Sequence, residues 1–117
     1  MSRELALHEL IAPPPPEQWL AMDTGSVQMI KAVATQGRGD GRWVAWVTSY
    51  KVSVSNDAST WTPVDDGFTF TGNVGGGDPV VTNDFAAAVT ARYVRFEPVT
   101  WTDSTGPTMR AGVYLCS

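Results

Sequence analysis

The residues that could do chemistry are few and scattered. A Ser-His-Asp or Cys-His nucleophile needs an imidazole within hydrogen-bond reach. The one histidine is His8, so any such set would have to borrow the N-terminal segment. Asp65 and Asp66 are adjacent. On a strand they would point to opposite faces, and in a turn both would be solvated. Cys116 is the only cysteine, which rules out an internal disulfide or a cysteine-based metal cluster, and no His/Cys group offers a transition-metal site. Asp57, Asp65 and Asp78 are the loop acids that could hold Ca²⁺, the one metal the sequence leaves open. Gly75-Gly76-Gly77 lacks the following Lys-Ser/Thr and helix of a phosphate loop. The expectation is a non-catalytic protein without a cofactor.

The elements that would position these residues come from one domain. The chain has 117 residues, 43% of them apolar and 17% charged, enough for one hydrophobic core and too ordered a composition for a disordered chain. The net charge of −4 argues against nucleic acid, which needs a basic stripe. No apolar run approaches a membrane span. Met1 to Ala12 lacks the basic and apolar regions of a signal peptide. Pro13 to Pro16 mark a boundary between an N-terminal arm and proline linker (1–16) and a domain (17–117). The arm, Arg3 to Ile11, fits either a short amphipathic helix or a strand.

Past the prolines, runs of Val, Thr, Tyr, Trp and Phe alternate with turn clusters, the spacing of a β-sandwich or barrel. Ser49 to Ser55 is the clearest strand, with Tyr50, Val52 and Val54 on one face and Lys51, Ser53 and Ser55 on the other. Asn56 to Ser59 then turn the chain, and Trp61 starts a return strand. In Arg92 to Glu97, Val94 and Phe96 face inward and Arg95 and Glu97 outward. Trp19 to Met22, Val27 to Ala34, Phe68 to Phe70, Val80 to Val81 and Ala111 to Leu115 are shorter strands. No helix is expected after residue 17.

Gln18 to Ser26 resembles the "QWLQVDLGS" signature of discoidin domains, also called coagulation factor V/VIII C domains. Further matches follow in order. Thr35 to Arg38 resembles "TQGR", Trp46 to Val52 "WVTSYKV", Ser55 to Trp61 "SNDGSTW", Phe70 to Asn73 "FxGN", and Ala91 to Pro98 "ARYVRIxP". Trp101, Met109-Arg110 and Leu115-Cys116 complete the set. The resemblance implies an all-β, eight-stranded jelly-roll barrel of antiparallel strands with no catalytic residues. It also implies an N-terminal cysteine paired with the last one. That first part is missing or replaced here, so Cys116 looks like an orphaned partner and a free thiol. The arm would then refill the vacant strand position or pair with a second chain, a route to self-association.

In the family, ligands meet loops at one end of the barrel, in an extracellular setting. The matching residues here are Arg38, Asp40, Arg42, Trp43 and Val44 in one loop, and Trp101 and Asp103 in another. Two readings of Trp43 stand: a binding residue at an apolar tip, or a cover for core left open by the missing part. The first gives a recognition module for cell-surface, galactose-type glycans. Alternatively, the Trp43/Val44 loop would enter an anionic phosphatidylserine membrane, or the domain would serve as a protein adhesion scaffold. Trp46 and Trp61 are expected in the core. Arg38-Gly39-Asp40 spells an integrin-type tripeptide, but the discoidin pattern itself favours these residues in this turn.

Overall fold

The computed structural model describes residues 5–11, 19–36, 38–39, 44–45, 47–73, 80–102 and 108–116. Among the described residues there are nine strands in chain order, where eight were expected because two-residue pieces (β3, β4, β6 and β7) are counted beside the long ones: β1 Leu5–Ile11, β2 Leu20–Gln36, β3 Arg38–Gly39, β4 Val44–Ala45, β5 Val47–Ser55, β6 Thr62–Pro63, β7 Phe70–Thr71, β8 Val81–Trp101 and β9 Thr108–Cys116. Every pairing is antiparallel. A seven-stranded sheet runs β1-β9-β2-β8-β5-β6, with β7 also on β5, while β3 and β4 pair only with each other. The fold is all-β, as expected.

Period-two alternation fixes the central register. Phe96 lies between Leu20 of β2 and Val52 of β5, and Val94 between Met22 and Val54. Val52, Val94 and Phe96 are fully buried and Val54 is 9% exposed, so the expected strands and inward faces are correct. The opposite face of β5 differs from expectation. Lys51 is exposed, but Ser53 and Ser55 are buried. Ser53 is flanked by Arg95 and Pro63 and donates to Glu97 at 2.9 Å. Ser55 is enclosed by the turn after it.

The sheet curls over its own core. Tyr50 stacks with Phe70 and packs against Phe96, and Phe70 reaches Phe85 at 6.0 Å between ring centroids. The core therefore joins residues from both halves of β8. Asn83 crosses the same way, donating to the Tyr50 hydroxyl at 3.0 Å and the Thr71 carbonyl at 2.8 Å. Burial pushes the Tyr50 hydroxyl pKa up to about 12, against the pull of the Asn83 bond.

In β2 and again in β8, two segments expected as separate strands are one long strand with an irregularity. In β2 the pairing with β8 breaks between Asp23 and Gln28, where Gly25 has φ +92°. In β8 residues 85–88 lie between the paired Asp84 and Val89. The Ala86 amide in that bulge donates to the Asp65 carboxylate at 3.0 Å. Asp65 and Asp66 sit in a turn, Val64–Gly67, at φ +53° and +56°, a left-handed region that Asp tolerates better than most residues. The arm, open between helix and strand in the sequence, is a strand: β1 runs antiparallel to β9 from Leu5↔Tyr114 to Ile11↔Thr108.

Two backbone positions and one ion pair give direct tests. A Cβ on Gly72 would meet the Val47 carbonyl oxygen at 2.4 Å, so Gly72→Ala should destabilise by about 1–3 kcal/mol. Ala58, at φ +61°, occupies the glycine position of the discoidin turn. Relief of roughly 1–2 kcal/mol of strain, less the entropy of a glycine, should make Ala58→Gly about 0.5–1 kcal/mol more stable by urea denaturation.

Asp23 accepts from Arg92 at 2.8 and 3.0 Å and from the Gly25 amide at 2.8 Å. The Arg92 bond, then the Gly25 bond, lower its pKa from 3.8 to about 2. Its stabilising contribution is thus fully present above the unfolded value near 3.8 and is lost as pH falls through about 2. Carboxyl NMR should give that midpoint, and Arg92→Ala should return it towards the ordinary value.

Candidate ligand-binding surface

The strand register gathers one set of chain ends. Val47 at the start of β5 lies opposite Trp101 at the end of β8. Thr35, near the end of β2, pairs with Val81 and Gln36 with Arg110 of β9. The Gly72 and Asn73 amides donate to the Thr48 and Val47 carbonyls at 2.8 and 2.9 Å, and Ile11 pairs with Thr108. The described residues flanking 37–46, 74–79 and 103–107 therefore share one end of the barrel.

The sequence-predicted residues fall at this end to different extents. Arg38 and Val44 belong to the small β3–β4 hairpin, with Arg38 opposite Ala45 and Gly39 opposite Val44. Asp40, Arg42 and Trp43 lie between these strands in sequence and outside the described residues, as do Trp46, Asp78 and Asp103. Trp101 is described, is 36% exposed and stands beside the β5 terminus. Arg38, Val44 and Trp101 are thus brought to one end.

The sequence reading missed a group of hydroxyls next to Trp101. Thr100 bonds to Thr48 and, at 2.6 Å, to Ser49, linking β8 to β5. Val99, next to Thr100 in the chain, is exposed. The available signal was the Thr/Ser content of "WVTSY" and "VTW", which β-propensity alone explains equally well.

A second aromatic group lies on the outer sheet face. The Arg95 guanidinium sits 4.4 Å from the Trp61 ring centroid and 5.7 Å from that of Trp19, and its Nη2 pairs with Glu97 at 3.1 Å. Trp61 is half-buried and outside the hydrophobic core cluster, which corrects the expectation of a core residue. A residue flanking the Ser55 end of the sheet shares a face with the outward odd-numbered positions, so its ring covers Arg95 instead of Val54.

The acids are occupied by backbone. Asp57 Oδ1 accepts from the Ser59 and Thr60 amides and from Ser55, each at 2.9 Å. The Thr60 amide, then Ser59 and Ser55, hold its pKa below the ordinary carboxylate value. Asp65 serves the bulge. Among the described residues no three His, Cys, Asp or Glu side chains converge on a metal position.

The F5/8 type C domain family matches residues 10–113, and the chain belongs to it. It is a non-catalytic binding module of that family. Contactin-associated protein 1 of Rattus norvegicus is 36% identical over 104 residues, covering 86% of this chain but 7% of its own length. Among solved structures, wild-type discoidin II from Dictyostelium discoideum superposes with a TM-score of 0.74 at 29% identity, over 85% of this chain and 37% of that one. Chitosan-binding module 1 from the chitosanase/glucanase of Paenibacillus sp. IK-5 gives 0.60 at 26% identity, over 97% and 75%.

The revised position of Trp61 can be measured. Removing a ring stacked on Arg95 should cost about 1–2 kcal/mol, whereas Phe96→Ala should cost about 3–5 kcal/mol as a core truncation. Equal losses in thermal or urea unfolding would return Trp61 to the core.

Proposed function

We propose that this domain recognises glycans through the loop end of its barrel, and that Arg38, Asp40, Arg42, Trp43, Val44, Trp101 and Asp103 form the site. The observation that carries the reading is an exposed Trp101 at the end where the loop-bearing strands converge. An indole face suits the C–H face of a pyranose, and Thr48, Ser49 and Thr100 supply hydroxyl partners at the same strand ends. Support also comes from likeness to a chitosan-binding module and to discoidin II. Arg42, Asp40 and Asp103 would bond sugar hydroxyls. The proposed ligand is a galactose-type cell-surface glycan and the proposed setting is extracellular. A chitosan-type chain is the second reading, favoured by the likeness to the chitosan-binding module and by the acidic net charge of −4.

A glycan array followed by calorimetric titration with galactose and chitotriose tests this. Trp101→Ala should weaken sugar binding at least about tenfold, equivalent to roughly 1.4 kcal/mol, with little change in Tm. Trp43→Ala should do the same. Salt-sensitive binding to phosphatidylserine liposomes, with no competition by free sugar, would replace the glycan reading with a membrane one.

A further inference from the structure

The far end of the barrel holds an open groove that the loop-end reading does not use. It lies between the β5–β6 hairpin and β8, with Val54, Val89 and Ala91 as an apolar floor and Ser55, Asn56, Asp57, Thr60, Thr62 and Thr90 around it. Val54 and Ser55 end the strand that Val47 begins, about 26 Å away at roughly 3.3 Å per residue. Its volume of ≈ 510 Å³ falls within the roughly 300–1,000 Å³ of small-ligand clefts.

We propose that this groove is a second binding site, and that it takes a saccharide bearing a free ammonium group. The groove pairs a small apolar floor with short, neutral donors and acceptors, the same mixture of C–H and hydroxyl that a pyranose presents. Asn56, Thr60, Thr62 and Thr90 are exposed, and their side chains make no hydrogen bond within the described residues, so they are available to ligand hydroxyls. The charge comes from Asp57. Its Oδ1 is taken by Ser55 and the Ser59 and Thr60 amides, which fixes the carboxylate in place and leaves Oδ2 to accept from an ammonium. Those same bonds hold its pKa below the ordinary carboxylate value. Arg92, close in sequence to the groove-lining Ala91, is committed to Asp23, and among the described residues no ion pair engages Asp57. A neutral sugar would use the hydroxyls alone, and an anionic one would be repelled.

The experiment uses the full chain, chitotriose as the cationic probe and its N-acetylated counterpart as the neutral control. In Trp101→Ala protein, where loop-end binding is weakened, chitotriose should still shift the amide NMR signals of residues 56–60 and 89–91. Thr90→Arg, which fills the groove and adds a like charge at an exposed strand position, should abolish those shifts and leave those at the loop end. Asp57→Asn keeps an Oδ1 acceptor for the turn. It should weaken chitotriose binding at this groove about fivefold, an exposed-pair effect, with no change for the N-acetylated trimer. Unshifted hairpin signals at saturating chitotriose, or shifts that survive Thr90→Arg, overturn the proposal. Loss of the loop-end shifts alone in Trp101→Ala leaves it standing, so the two readings fail separately.

Discussion

β8 lies between β2 and β5, and its fully buried Val94 and Phe96 fix all three strands. A one-residue slip would carry Arg95 and Glu97 into the core and Phe96 into water. The remaining packing follows from that register. Phe96 meets Tyr50, Tyr50 meets Phe70, and Phe70 meets Phe85 back on β8. The chain of rings therefore starts and ends on one strand, and the sheet has to curl for that to happen. The bulge at residues 85–88 supplies the irregularity where β8 turns over the core.

Closing a sheet this way buries polar atoms that must be paired. Asn83 meets the Tyr50 hydroxyl and a β7 carbonyl, and Asp65 meets an amide that the bulge has removed from the β2–β8 ladder. The Asp65 that makes this contact has a left-handed φ of +53°. Asp65 is thus part of a backbone repair, a different role from that of a paired catalytic carboxylate.

The two ends of the barrel are built differently. At the hairpin end, the Ser55–Asp57 turn and the Asp23–Arg92 pair satisfy local backbone and charge. At the loop end, short strands stop beside an exposed indole and linked hydroxyls. Between them, the outer face is sealed by Arg95 under two tryptophans and bonded to Glu97, which also buries Ser53. A guanidinium set over indole lets polar residues cover a sheet face without forming a second core.

Alternation in "SYKVSVS" and "RYVRFE" by itself determined two strands and their buried faces, because side-chain period two is a local property of a strand. Ordered motifs determined the family and, with it, the all-β fold. Sequence also placed the Asn56–Ser59 turn, since Asx side chains bond their own backbone. Tertiary structure alone decided the rest. Nothing local distinguishes a helix from a strand in Leu5–Ile11; an open β9 edge does. Weak pattern in Ala86–Ala88 hid the continuity of β8, whose pairing there comes from flanking residues far along β2. Trp61 reads as core by hydrophobicity, yet the parity of its neighbours sets it over Arg95, a relation spanning thirty-four positions of sequence that only the folded sheet establishes.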